Sequence, residues 1–190
     1  MRQQLNLFGA GPVLPEGFRY EDDIITRAAE TALVEQIRRL PFRDFEFQGY
    51  VGKRRVVSFG LHYDFAERAL LAADDIPPFL LPVRDAAARF ADVPRASLQH
   101  VLVTEYGAGA GIGWHRDRDV FSEVIGISLL APCTFRLRRQ TGDSWERISV
   151  SVEPRSAYLL SGPSRTEWEH SIPPVDALRY SITFRNLRER

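Results

Sequence analysis

The segment Arg179-Tyr180-Ser181-Ile182-Thr183-Phe184-Arg185 alternates strictly between polar and apolar side chains, if the tyrosine is counted as apolar. A period of two residues is typical of a β-strand with one buried face, because successive side chains of an extended chain point to opposite sides. The apolar side chains at positions 180, 182 and 184 are therefore predicted to pack on the core. The opposite face then carries two arginines and two hydroxyls.

Further strand-like runs precede this segment at close intervals. They cover residues 98–106, 124–131, 134–139, 145–152 and 157–161. The last strand-like run, 179–187, contains the segment quoted above. Turn signals such as Ala131-Pro132 and Gly162-Pro163 separate them. Many short strands joined by such turns are typical of a barrel or sandwich. We therefore predict a C-terminal jelly roll within residues 96–190.

The first half of the chain, residues 1–95, is predicted to be mixed. Apolar residues recur at helical spacing from Glu21 to Leu40 and from about Pro78 to Ala91. Between these helices, residues 42–65 are rich in Phe, Tyr and Val, with glycines at turn positions. The 190 residues contain no internal repeat and no low-complexity linker. We predict one α+β domain in which N-terminal helices buttress the jelly roll.

The composition is ordinary for a globular protein, with 44% hydrophobic and 26% charged residues. The formal net charge is zero, so bulk electrostatics do not favour nucleic-acid binding. The single cysteine, Cys133, lies in an apolar run and is predicted to be a small buried side chain. No segment has the length of a membrane span, and no signal pattern opens the chain. We expect a cytoplasmic monomer without a membrane partner.

His115 and Asp117 form a pair separated by one residue. In an extended segment, both side chains leave the same face and can bind one metal ion. His170 is expected to complete a set of three ligands that leaves three positions of an octahedral iron open. An HxD pair also occurs often by chance. His62 and His100 lack a carboxylate two residues away, and we predict that they are ordinary core or rim histidines.

The two arginines of the strand quoted first match what such an iron site requires. A dicarboxylate such as 2-oxoglutarate has one end that chelates the metal and another that needs a fork-shaped partner. Arg179 suits the far carboxylate, while Arg185 can steady either the metal-proximal end or Asp117. The alternative for this strand is a solvated surface face. Three further polar side chains are predicted to belong to the same site: Tyr106, Thr104 and Ser181.

With these motifs in one chain, the sequence resembles the AlkB family of iron(II) and 2-oxoglutarate dependent dioxygenases. The matching positions are His115 with Asp117, the distal His170, and Arg179 with Arg185. The likeness covers roughly residues 98–187. It implies a double-stranded β-helix, which is a jelly roll, with iron bound by the two histidines and the aspartate. It also implies that the two arginines and Tyr106 hold 2-oxoglutarate.

The resemblance implies a substrate and a place for it as well. Family members typically hydroxylate an N-alkyl group on a nucleobase, and the unstable product sheds formaldehyde. Their N-terminal part serves as a β-rich nucleotide-recognition lid, which here corresponds to about residues 50–65. The alternative for this stretch is a basic surface turn beside core aromatics. The residues expected to bind substrate are Lys53, Arg54 and Arg55 for phosphates, and Phe59, His62, Tyr63 and Trp114 for the base.

We therefore expect an oxidative demethylase of N-alkylated bases in single- or double-stranded DNA or RNA, with a role in DNA repair. It would use Fe(II), 2-oxoglutarate and O2, and it would release formaldehyde, succinate and CO2. One alternative is the same oxygenase chemistry on a protein side chain or a small molecule, which the zero net charge favours. The other is a non-catalytic jelly-roll binding protein with a structural metal.

Overall fold

Three ranges of the chain, residues 14–47, 50–64 and 69–188, are described by the computed structural model. Three α-helices lie among thirteen strands in these ranges: α1 (Arg27–Ile37), α2 (Leu81–Ala91) and α3 (Gly162–Thr166). The strands of the first half are β1 (Phe18–Glu21), β2 (Arg43–Phe47), β3 (Tyr50–Phe59), β4 (Leu61–Asp64) and β5 (Ala69–Ala72). Those of the second half are β6 (Leu98–Tyr106), β7 (Ile112–His115), β8 (Phe121–Leu129), β9 (Cys133–Thr141), β10 (Ser144–Val152), β11 (Ala157–Leu160), β12 (Glu169–Ile172) and β13 (Arg179–Leu187).

The strands form two main sheets that face each other. The large sheet has seven strands in the order β1-β11-β8-β13-β6-β3-β2, and the small sheet has four in the order β10-β9-β12-β7. Neighbouring strands in both sheets are antiparallel. Strands β4 and β5 form a separate hairpin. This architecture confirms the predicted jelly roll, that is, the double-stranded β-helix.

The large sheet is apolar on the face that the helices cover. Tyr180, Ile182 and Phe184 of β13 are buried there, in one cluster with α1 and α2. The alternation predicted for this strand is therefore present. The other face of the large sheet meets the small sheet, and side chains from both, such as Phe135 and Tyr158, form a second core.

Helix α1 is anchored at its N-terminal end by two contacts. The hydroxyl of Thr26 accepts a hydrogen bond from the backbone N–H of Ala29 at 3.2 Å, which is an N-cap. Further along, Glu30 accepts from the backbone N–H of Leu130 at 2.8 Å and pairs with Arg155. The helix is thereby tied to the turn that follows β8.

Two boundaries in the first half differ from the expectation. The first helix, predicted from Glu21 to Leu40, spans only Arg27–Ile37, and Phe18–Glu21 pairs with β11 as an edge strand. In addition, β3 pairs with β6 over Arg54–Phe59 and so belongs to the large sheet, although this stretch was predicted to be part of a lid. In the part of the chain that the structure describes, no helix has the length and apolarity needed to span a membrane.

Candidate active site

The three predicted metal ligands converge between the two sheets. His115 and His170 stand directly opposite each other on β7 and β12, with ring centroids 4.2 Å apart. Asp117 follows β7, and its Oδ2 lies 3.6 Å from Nε2 of His170. One ligand atom from each of the three residues lies within 4.8 Å of the others. Two imidazoles and one carboxylate form the donor set of a 2-His-1-carboxylate iron site.

The protonation states of these groups suit a metal ion. Nδ1 of His115 is 2.9 Å from the carbonyl oxygen of Gly113, which can only accept, so Nδ1 carries the proton and Nε2 is free to ligate. Burial lowers the pKa of His115. Burial and the neighbouring His115 lower the pKa of His170 to about 3. Both rings are therefore neutral at pH 7, as metal ligation requires.

Asp117 is held as a carboxylate by a buried arginine. Burial alone would raise the pKa of this carboxyl, but the positive charge around it, above all that of Arg185, lowers the pKa. Nε and Nη2 of Arg185 donate to Oδ1 of Asp117 at 3.0 and 2.7 Å. Nη1 lies 3.3 Å from Nδ1 of the buried His100. Of the two contacts predicted for Arg185, the structure contains the one with Asp117.

Arg179, at the other end of β13, has a different environment. Its side chain is fully buried, and Nε donates to Oγ of Ser128 at 3.0 Å. The guanidinium carbon lies 5.0 Å from the ring centre of Tyr106. Nη1 and Nη2 have no hydrogen-bond partner among the described residues. Because an unpaired buried cation is costly, this pair of donors fits the two oxygens of a carboxylate.

A cavity of about 820 Å³ joins the metal ligands to the predicted co-substrate residues. Burial raises the pKa of Tyr106, so its hydroxyl stays protonated and can donate a hydrogen bond. Arg179 lies beside this ring, behind the cavity wall. Among the side chains that line the cavity are His115, Asp117, His170, Thr104, Tyr106, Ser181, Thr183 and Arg185.

Tyr158 and Gly126 also shape this cavity, and neither was predicted. Tyr158 lines it from β11. A Cβ atom at Gly126 would lie 2.1 Å from Cζ of Tyr158, so only glycine leaves room for the ring. A glycine inside an apolar strand is a known signal of such close packing. The sequence contained that signal in the run at 124–131.

Of the three adjacent basic residues in β3, only Arg54 faces the cavity. Its guanidinium carbon lies 3.7 Å from the ring centre of Phe45. Lys53 is exposed, and Arg55 pairs with Glu105, with Nη2 2.6 Å from Oε1. The strand period of two residues causes this separation, because neighbours in an extended chain point to opposite sides of the sheet.

The same alternation explains where the predicted aromatic residues lie. Phe59 is buried among the residues beneath the helices, with 5% exposure. The predicted substrate role does not fit it, because the side chain lies on the opposite face of the large sheet from the cavity. Trp114 lines the cavity. The side chains of His62 and Tyr63 lie outside the described residues.

Comparison with known proteins agrees with this site. The family model of the 2OG-Fe(II) oxygenase superfamily matches residues 21–185. The chain belongs to the 2OG-Fe(II) oxygenase superfamily. Membership implies Fe(II), 2-oxoglutarate and O2 as cofactor and co-substrates, and the residues described above fit the metal and the dicarboxylate. It also groups the chain with enzymes and not with non-catalytic jelly-roll binding proteins.

Individual relatives of this superfamily member confirm the resemblance to the AlkB family. The alkylated DNA repair protein ALKBH8 homolog of Arabidopsis thaliana is 26% identical over 194 residues, covering 87% of this chain and 54% of that protein. The uncharacterized protein L905 of Acanthamoeba polyphaga mimivirus is 31% identical over 100 residues, covering 46% of this chain and 47% of its own. The chain thus spans about half the length of the curated relatives it matches.

The fold has a close counterpart among solved structures. A structure described as that of OsALKBH1 superposes with a TM-score of 0.68, at 17% identity. The superposition covers 91% of this chain and 98% of the other. The likeness shows that the two chains share a fold.

Proposed function

We propose that the chain catalyses oxidative demethylation of N-alkylated bases in DNA or RNA, with a role in the repair of alkylated nucleic acid. The observation that carries this proposal is the cavity of about 820 Å³ that reaches the metal ligands. Its volume suits one small ligand or one extruded nucleotide. The Arg54–Phe45 stack and Trp114 on its walls offer flat surfaces for a base and a cation for a phosphate.

The name of the Arabidopsis relative, an alkylated DNA repair protein, supports this substrate class. Held by the two histidines and Asp117, Fe(II) with 2-oxoglutarate and O2 would supply the oxidant. One oxygen atom would enter succinate as CO2 leaves, and the other would hydroxylate the alkyl carbon. The resulting hemiaminal then breaks to formaldehyde and the restored base.

The protein's own groups hold the reactants in place. Arg185 fixes the orientation of Asp117, and the carbonyl of Gly113 fixes the tautomer of His115. The unpaired nitrogens of Arg179 bind the far carboxylate of 2-oxoglutarate, and the hydroxyl of Tyr106 donates to it. Thr104 and Ser181 line the same wall and are buried.

Product analysis with a methylated oligonucleotide tests the proposal. Formaldehyde and succinate should form in equal amounts, with an unmethylated oligonucleotide of the same sequence as control. The His115→Ala variant should form neither. Methylated oligonucleotide that gave no formaldehyde while 2-oxoglutarate was still converted to succinate would contradict the assigned substrate.

Arg54 and Arg55 form a matched pair for the substrate side. Arg54→Gln should raise the KM for the oligonucleotide about tenfold, because it removes a charged contact worth about 1.5–3 kcal/mol. Arg55→Gln removes the same charge from the other face of the strand and should leave this KM unchanged. Equal effects of the two variants would contradict a role for Arg54 in the cavity.

The second candidate is the same oxygenase chemistry on a protein side chain or a small molecule. Two observations favour it: the formal net charge of zero, and the fact that Arg54 alone among the three basic residues of β3 faces the cavity. Formaldehyde release from methylated peptides, and not from oligonucleotides, would support this candidate. The cytoplasmic location and the monomeric state stay predictions.

A further inference from the structure

The outer face of the small sheet carries two tryptophans on either side of one arginine. Leu137 and Val152 of β9 and β10 point to the core and are buried, so alternate positions of these strands point outward. Arg138 is one of these positions. Its guanidinium carbon lies 4.4 Å from the ring centre of Trp114 and 4.3 Å from that of Trp145. Two indole rings thus stack on one surface cation.

The remaining charges of this face are predominantly positive. Glu169 pairs with Arg138, with 2.6 Å between Nη2 and Oε2. Arg136 donates through Nε to the hydroxyl of Ser171 at 3.1 Å. Arg147 stands opposite Arg138 in the register of β10 and β9 and is exposed. Within residues 14–47, 50–64 and 69–188, neither Arg136 nor Arg147 forms an ion pair.

Trp114 connects this face to the catalytic cavity. It precedes the ligand His115 on β7 and lines the cavity. Its ring centre also lies 5.0 Å from the guanidinium carbon of Arg136. A polymer whose modified unit enters the cavity can therefore continue across Trp114 onto the outer face of the small sheet.

We propose that this outer face binds the single-stranded nucleic acid that flanks the substrate base. The inference rests on the proposed function and specifies its substrate as a strand longer than the modified nucleotide. The residues that form this tryptophan–arginine face are Trp114, Arg136, Arg138, Trp145 and Arg147.

Each part of the tryptophan–arginine face has a counterpart in a nucleic-acid strand. The guanidinium groups of Arg136 and Arg147, which form no ion pair within the described ranges, bind phosphates, and arginine recognises this anion through its planar set of donors. Trp145 is 37% exposed and offers an aromatic surface to a flanking base. The bases of a duplex are already stacked on each other, so the face favours a single strand. Stacking and phosphate contacts do not read base edges, so the binding is independent of sequence.

The proposal is tested by measuring the affinity of the full chain, loaded with Mn(II) and 2-oxoglutarate, for labelled methylated oligonucleotides. Two lengths are compared, about 3 and about 15 nucleotides. The wild type should bind the longer strand more tightly. The double variant Trp145→Ala/Arg147→Ala should weaken binding of the longer strand at least about tenfold and leave the trinucleotide unchanged. The salt slope for the longer strand should fall by about 0.7.

Two further variants serve as controls. Arg95→Ala removes an arginine whose side chain is 72% exposed and lies just before β6, and it should change neither affinity. Trp145→Phe/Arg147→Lys keeps an aromatic ring and a charge, and it should retain most of the affinity. Circular dichroism should show an unchanged fold, because both substituted side chains are exposed.

Three results would contradict the proposal that the tryptophan–arginine face binds a single strand. They are equal affinity of the wild type and the Ala variant for the longer strand, equal affinity of the wild type for the short and the long strand, and tighter binding of a duplex than of a single strand. Formaldehyde release from the methylated trinucleotide reports on the proposed function separately. If formaldehyde is released while the Ala variant binds the longer strand normally, the proposed function is supported and the strand-binding role of the face is contradicted. If formaldehyde is never released but the Ala variant loses its length-dependent affinity, the strand-binding role is supported and the proposed function is contradicted.

Discussion

Strand β13 carries one arginine near each end, and the two differ in their hydrogen-bond partners. Arg185 is saturated, because it donates twice to Asp117 and lies against His100. Arg179 is also buried but forms a hydrogen bond only with Ser128, and its two terminal nitrogens have no hydrogen-bond partner among the described residues. Arg185 therefore stabilises a carboxylate of the protein itself, whereas Arg179 has two donors available for an external anion. We propose that Arg185 marks the metal end of the site and Arg179 the dicarboxylate end.

Removing the arginines should affect stability unequally, and this is the largest expected effect. Arg185→Met leaves the carboxylate of Asp117 buried without its main partner and should lower the free energy of unfolding by about 3–5 kcal/mol. Arg179→Met removes one hydrogen bond worth about 1 kcal/mol together with a buried cation that lacks an anionic partner, so its net effect on stability should be small. Urea denaturation of the metal-free protein measures both.

The double variant Asp117→Asn/Arg185→Met is the control for this comparison. It removes both charges and should recover much of the stability lost in Arg185→Met. Equal losses in the two single variants would mean that the ends of β13 do not differ as described.

The same pair should differ in its effect on 2-oxoglutarate. Arg179→Gln should raise the KM for 2-oxoglutarate about 100-fold, which corresponds to about 2.7 kcal/mol, while metal affinity stays unchanged. Tyr106→Phe, which removes one neutral hydrogen bond, should raise this KM only about fivefold. Succinate formation measures both, with Arg55→Gln as a control. An unchanged KM in Arg179→Gln would exclude Arg179 from the dicarboxylate site.

A smaller effect is expected from a substitution at Gly126, which packs against Tyr158 in the cavity wall. Gly126→Ala would push the ring of Tyr158 out of position and should cost about 1–3 kcal/mol of stability. It should also weaken 2-oxoglutarate binding. Gly107→Ala, at a position with no atom within 4 Å of the added Cβ, should change neither quantity. Thermal unfolding and 2-oxoglutarate binding distinguish the two, and equal shifts would argue against Tyr158 as a cavity wall.

The smallest effect is a pH dependence confined to the metal end. The pKa of His170 is lowered from 6.5 to about 3 in the folded protein, so between these values only the unfolded chain binds the proton. Stability should therefore fall as pH drops below about 6.5, by at most about 1.4 kcal/mol per pH unit. At the dicarboxylate end, burial raises the pKa of Tyr106, Tyr158 and Cys133, so nothing there titrates in this window.

Urea denaturation of the metal-free protein between pH 7 and 5 tests this dependence. His170→Asn should reduce the slope and leave a remainder from His115, whose pKa burial also lowers, whereas Arg179→Met should leave the slope unchanged. An undiminished slope in His170→Asn would assign the titration to another group.

The sequence predicted the long elements well, because their patterns are regular. The predicted bounds of β6, β13 and the second helix agree with the structure. The four-residue strands β7 and β12 were not predicted as strands, because so few residues show no reliable period. These two short strands nevertheless carry His115 and His170. The ligands were found through their chemistry and not through their secondary structure.

The assignment of residues to faces could be predicted only where the strand itself was recognised. For β13, alternation put both arginines on one face, as the structure has them. In β3, treated as a lid, Arg54 was not separated from Arg55, nor Phe59 from the cavity. The contact of Arg185 with Asp117 was one of the two predicted for it, whereas the contact of Arg179 with Ser128 was not predicted, because Ser128 is distant in sequence and no local pattern relates the two.

Calorimetric titration of 2-oxoglutarate into the Mn(II)-loaded protein tests the division of the cavity most directly. Mn(II) accepts imidazole and carboxylate ligands and does not need protection from air. We expect one 2-oxoglutarate to bind per chain, and to bind tightly only when the metal is present. Binding should be about 100-fold weaker in Arg179→Gln and independent of the metal in Asp117→Asn. Binding that required neither the metal nor Arg179 would contradict it.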